Sequence, residues 1–133
     1  MKRTITLIIA LAIMFNFFGC GNNNSVSEIT VDELAEKVKQ NQPIYLLDVR
    51  TVREYEAGRL SFANDLIPYD SLSFYEEKLP ANKDTAIYCF CRSGRRSGIA
   101  TEYLKSIGYT NVHNVKGGII AWQNAGYKIV SGQ

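Results

Sequence analysis

The 133-residue sequence contains one histidine, one tryptophan and three cysteines. Each scarcity removes a class of function. His113 is the only imidazole, and no cysteines stand around it at zinc-binding spacing, so no metal site is expected. Nor does a histidine stand where it would complete a catalytic triad with Ser93 or Ser97. Three cysteines do not make a disulfide framework. A strong excess of one charge is also missing. Fifteen basic residues face 13 acidic ones, and the surplus is Lys2 and Arg3. Without residues 1–19 the chain holds 13 of each, which excludes a general nucleic-acid-binding surface. There is no internal repeat. The apolar run Ile5–Phe18 is too short to span a bilayer comfortably.

That run nevertheless has the layout of a secretory signal: a basic start, an apolar stretch, then Phe17-Phe18-Gly19-Cys20 and a polar Asn/Ser segment. The junction resembles the lipobox of bacterial lipoproteins, with Phe17 where leucine is usual. This implies cleavage before Cys20, lipid on its thiol, export, and anchoring to a membrane of the cell envelope. An uncleaved N-terminal anchor would also export and tether the domain. The expected organisation is a signal over 1–19, a lipidated end and flexible tether over 20–27, and one domain over 28–133. Export leaves the redox state of the other two cysteines open.

Beyond the tether, helical and extended patterns alternate. Thr30 and Glu33 form a capping-box signature, and Val31, Leu34, Ala35 and Val38 recur at helical spacing. Asn41 and Pro43 stop that helix. Residues 44–49 and 85–90 read as strands buried on both faces, and 111–115 as a third strand. A helical turn over 53–57 closes at Gly58. A short strand falls within 63–68, and a short helix over 71–78 ends before Pro80. The pattern predicts a helix over 97–107 with Ile99, Tyr103, Leu104 and Ile107 on one face, stopped by Gly108. A last helix over 118–125 carries Ile119, Ile120 and Trp122. The alternation predicts an α/β domain with a mainly parallel central sheet flanked by helices.

In such sheets, ligands bind where strands end at their C-termini. Arg92–Arg96 and Asp48–Arg50 both fall at such ends. Cys91 leads into Arg92-Ser93-Gly94-Arg95-Arg96, a turn into the helix expected to open near Ser97. Gly94 gives that turn backbone freedom. Successive N–H groups in it can form an anion-binding nest, and the helix N-terminus strengthens the field. A thiol there should be acidic, and the arginines can grip an oxyanion through paired N–H groups. Cys89 faces the same side one layer deeper and is expected to pack as a small hydrophobe. A resolving role for it would need a strained bridge to Cys91.

Cys91-Arg92-Ser93-Gly94-Arg95-Arg96-Ser97 resembles the active loop of the rhodanese family of sulfurtransferases. Asp48-Val49-Arg50, Glu54-Tyr55, Gly58-Arg59-Leu60, Ala63, Pro68, Gly108-Tyr109, Asn111-Val112, Gly117-Gly118-Ile119 and Ala121-Trp122 resemble that family's other segments, in order. Arg59 replaces the common histidine. The resemblance implies a single rhodanese-like domain in which Cys91 takes sulfane sulfur from thiosulfate or a related donor. The Cys91 persulfide then passes it to cyanide or a thiol. It further implies an anion-binding loop of Arg92, Ser93, Gly94, Arg95 and Arg96, with Arg96 bracing it. Asp48, Arg50 and Arg59 become rim or structural support, and no metal or organic cofactor is needed. Two alternatives remain: a non-catalytic sulfur-carrier or binding module, and a phosphatase. A phosphatase loop of the form Cys-x5-Arg would run from Cys89 to Arg95, whereas Cys91 to Arg96 is Cys-x4-Arg. Oligomeric state is not indicated.

Overall fold

The computed structural model describes residues 26–132. The expected signal and Cys20 lie outside the described residues. Strands β1 (Glu28–Ile29), β2 (Tyr45–Asp48), β3 (Asp65–Leu66), β4 (Ile87–Phe90) and β5 (Val112–Val115) form one sheet ordered β1-β5-β4-β2-β3, with every neighbouring pair parallel. Helices α1 (Val31–Lys39), α2 (Val52–Ala57), α3 (Arg95–Ser106) and α4 (Gly118–Asn124) connect or follow them. The expected α/β architecture is present.

The continuous apolar strands follow from this layering. Leu46, Tyr88 and Phe90 join Val31, Leu34, Ile119 and Trp122 in one apolar cluster. Leu47, Cys89 and Cys91 join Ala100, Leu104 and Tyr109 in the other. Successive strand residues point to opposite faces, so a sheet covered on both sides needs apolar residues at every position. α1 and α4 cover one face and α3 the other. The Cys91 loop leaves the middle strand between the N-terminal ends of α3 and α4.

Several local expectations are corrected. α3 starts at Arg95 behind Gly94 (φ 94°), so Arg95 and Arg96 occupy its first turn and Ser97 is inside it. Its buried stripe is Ser97, Ala100, Thr101 and Leu104, while Ile99 is 44% exposed. Leu104 fixes the stripe, and positions three, four and seven residues before it face the strands. Small side chains there let the helix approach the Cys91 loop. Ile120 is likewise exposed at 39%, because Ile119 and Trp122 face the sheet three residues apart. The expected helix over 71–78 is two short 3₁₀ turns, Leu72–Phe74 and Glu76–Lys78, which bury only Leu72. β1 was not expected. Two residues are too short for a period, and the strand exists through bonds to β5. Its neighbour Ser27, assigned to the tether, already accepts the Asn114 N–H at 2.7 Å.

Candidate active site

The loop is shaped by where its carbonyls go. The Cys91 carbonyl accepts the Ile119 N–H at 2.9 Å, and the Arg92 carbonyl accepts the Ile120 N–H at 3.2 Å. These bonds satisfy first-turn amides of α4. In a trans peptide the next N–H points away from the carbonyl, so the N–H groups of Arg92 and Ser93 turn to the other side. The contact requires glycine at Gly118 (φ +55°): an added Cβ would lie 2.2 Å from the Cys91 carbonyl oxygen.

Cys91 Sγ sits inside this turn. It accepts the Gly94 N–H at 3.0 Å and lies 3.2 Å from Ser97 Oγ. Burial pushes its pKa up, but hydrogen bonds from Ser97 and from the backbone N–H groups of Ser97, Ser93 and Gly94 outweigh burial and leave it below the ordinary thiol value. The side chain is 0% exposed, so solvation by water is not what makes it acidic.

Arg96 braces the loop from outside. Its Nη1 donates to Glu54 Oε2 at 2.8 Å and its Nη2 to Oε1 at 2.6 Å. Glu54 also closes a capping box with Thr51 at the start of α2. Its carboxyl is held at about 2, first by Arg96 against the opposing effect of burial, then by Thr51. One carboxylate therefore locks α2 to the first turn of α3. Arg92, Ser93 and Arg95 are exposed at the mouth. A shallow cleft of about 270 Å³ beside Arg92 is lined by Arg92, Ile119, Gln123 and Ile129 among others.

Asp48 and Arg50 form a buried ion pair at the end of β2. Arg50 Nη2 lies 2.5 Å from Asp48 Oδ2 and donates to the Gly58 carbonyl at 2.9 Å. The pair ties β2 to the end of α2, as a support. Arg59 serves the C-terminal segment: its backbone pairs with Val130, its guanidinium lies 5.0 Å from the Tyr55 ring, and it donates to the Gly132 carbonyl. Cys89 lies within β4, and burial pushes its thiol up to about 12, with a bond to Thr101 opposing. A loop led by Cys89 does not fit this geometry, because Cys89 and Phe90 are both strand and Cys89 is fully buried on one face of the sheet. His113 stacks on Tyr88 and is bonded at both ring nitrogens, to Ser27 and Asn111. Among the described residues, no cluster of His, Cys, Asp or Glu could hold a metal ion.

Sequence reasoning passed over Asn114, which is buried in β5 and bonded to Ser97 and Gly94. The available signal was an amide in a four-residue buried strand. It also passed over the Thr51–Glu54 capping box.

Residues 30–125 match the model of the rhodanese-like domain. The chain belongs to that family. It is 37% identical to a sulfurtransferase of Allochromatium vinosum over 80% of this chain and 96% of that protein. It is 37% identical to the adenylyltransferase and sulfurtransferase uba4 of Ogataea parapolymorpha over 65% of this chain, but spans only 22% of that longer protein. A rhodanese-like domain protein of Staphylococcus aureus has the same fold, with a TM-score of 0.67 and 36% identity over 73% of this chain and 91% of that one.

Proposed function

We propose that the protein is a sulfurtransferase that carries sulfane sulfur on Cys91. The observation behind this reading is Cys91 Sγ held among N–H donors at the end of the central strand, with Gly94 N–H at 3.0 Å. The thiolate attacks the outer sulfur of an anionic donor, with thiosulfate the simplest. The donor S–S bond breaks and sulfite leaves with its electron pair, so Cys91 carries a persulfide. The loop N–H groups stabilise the negative outer sulfur. Cyanide or a thiolate then attacks that sulfur, the persulfide bond breaks, and the Cys91 thiolate returns. Arg92 and Arg95 draw anions to the mouth. The four residues between Cys91 and Arg96 make a tight loop, which favours a single sulfur over a tetrahedral phosphate.

Mass spectrometry after thiosulfate treatment tests this. A gain of one sulfur atom on Cys91, removed by cyanide with thiocyanate formed over many cycles, supports the reading. Sulfur gained without turnover would make the protein a carrier. Turnover of an aryl phosphate with no persulfide would replace the reading altogether.

We also propose that the protein is exported and that lipid on Cys20 anchors the domain to a cell-envelope membrane, on its periplasmic or surface side. The Gly19-Cys20 junction after an apolar run supports this. Cys20→Ser should abolish labelling by fatty acid and leave the 1–19 segment uncleaved. Full labelling of that variant would refute it.

A further inference from the structure

Asn114 and Ser97 share a hydrogen-bond conflict beside Cys91. Asn114 Nδ2 lies 3.0 Å from the Gly94 carbonyl oxygen and 3.3 Å from Glu28 Oε1. Both are acceptors, so the amide orientation is fixed by chemistry. The atom 2.6 Å from Ser97 Oγ is therefore Oδ1, which cannot donate. That oxygen is paired only while Ser97 donates to it, and the bond from the Ser97 hydroxyl that favours the Cys91 thiolate needs the same proton. A hydroxyl has one proton, and Cys91 Sγ lies 3.2 Å from the Ser97 oxygen. A protonated thiol fits this arrangement, because it can donate its S–H to Ser97. A thiolate does not, because Ser97 serves it only by turning its proton away from Asn114. That would leave a buried amide oxygen unpaired.

We propose that Asn114 is a positioning residue that competes with Cys91 for the single hydroxyl proton of Ser97 and so sets how readily Cys91 ionises. This deepens the sulfurtransferase reading and rests on it for its meaning in turnover. Once sulfur is loaded, the charge moves to the outer atom. Ser97 can then return its proton to Asn114, and every group is paired. The free thiolate lacks that full set, so the network favours the loaded state. The charged groups around the sulfur are Arg96 with Glu54, the Asp48–Arg50 pair and Glu28 against Asn114. Cys89 lies beneath it in the same cluster.

The test measures the pH dependence of Cys91 alkylation in the full chain, followed by mass spectrometry. It needs no sulfur donor, so its failure is separate from failure of persulfide formation. Asn114→Ala should lower the Cys91 midpoint by about half to one pH unit, and this shift should vanish in a Ser97→Ala background. Near-isosteric Asn114→Asp should raise the midpoint, and more so with Ser97 present than absent. A merely structural role predicts a raised midpoint in both variants. The proposal is overturned if Asn114→Ala raises the midpoint or leaves it unchanged, or lowers it equally without Ser97. Should Asn114→Ala not fold, Asn114→Asp decides, and an equal rise with and without Ser97 overturns the proposal.

Discussion

Cys89 and Cys91 stand two residues apart, face the same apolar cluster and are both 0% exposed. Their chemistry is opposite. Cys89 lies in the middle strand, where β2 and β5 flank it and the neighbouring backbone N–H groups serve the sheet. Its thiol is left with Thr101 and is pushed up to about 12, first by burial. Cys91 lies one residue past the strand's end, where the backbone turns and the N–H groups of Ser93, Gly94 and Ser97 are free to point at sulfur. Burial acts on both thiols in the same direction. The difference comes from the Ser97 hydroxyl and from unpaired backbone donors, and such backbone donors exist only where the ladder stops.

The strongest break of this comparison is to remove each thiol in turn. Cys91→Ala should reduce persulfide formation and turnover to background, while the parent protein's alkylation at Cys91 should reach its midpoint below the ordinary thiol value. Sulfur appearing on Cys89 in Cys91→Ala would show that strand burial does not silence a thiol here. Next in size is Gly118→Ala. Its Cβ would meet the carbonyls of Cys91 and Arg92 at 2.2 and 2.7 Å, at a φ of +55°. The carbonyls would have to move, and with them the N–H groups that face sulfur. A fall of about a hundredfold in turnover is expected, the scale of a roughly 1 Å misplacement. Unchanged turnover would mean that the α4 contact does not aim the loop.

Much of this site was legible because its parts are local. The apolar runs ending at Phe90 and Asp48, the glycine in the turn and the arginines after Cys91 all lie within short windows, and periodicity with turn chemistry reads such windows. Asn114, the bond from Ile119 to Cys91 and the Arg96–Glu54 pair were not legible as contacts. Each joins positions far apart in sequence, and only the sheet order brings them together. The start of α3 was placed near Ser97, because serine commonly opens helices. Its hydroxyl instead faces Asn114 and sulfur, while Gly94 in the left-handed region begins the helix. Ile99 was misassigned for a related reason. A helix packed closely beside the Cys91 loop buries serine, alanine and threonine in preference to isoleucine.

The Glu54–Arg96 brace gives a smaller effect, read through pH. The Glu54 carboxyl is held at about 2, against an ordinary 4.5, chiefly by Arg96. A depressed carboxyl contributes stability that is present above pH 4.5 and is lost as pH falls towards 2. The pair is partly solvated, so screening reduces its contribution to about 1–2 kcal/mol. Chemical denaturation between pH 4.5 and 2 should therefore show the parent protein losing about that much more stability than Glu54→Gln. An identical slope in both would remove the ion pair as the loop's brace and shift that role to the backbone contacts with α4.

The smallest expected change in activity is that of Cys89→Ala, and it tests the quiet half of the comparison. If Cys89 is only packing, turnover and persulfide yield should stay within about twofold, because no donor to Cys91 is removed. Stability should fall by about 1–2 kcal/mol, the scale of deleting one small buried group from a closed core. The Cys91 alkylation midpoint should not move, because a thiol pushed up to about 12 is neutral throughout the working range. A midpoint that moved, or persulfide that survived oxidation less well in the variant, would mean that Cys89 communicates with Cys91. The strand would then belong to the site chemically as well as mechanically.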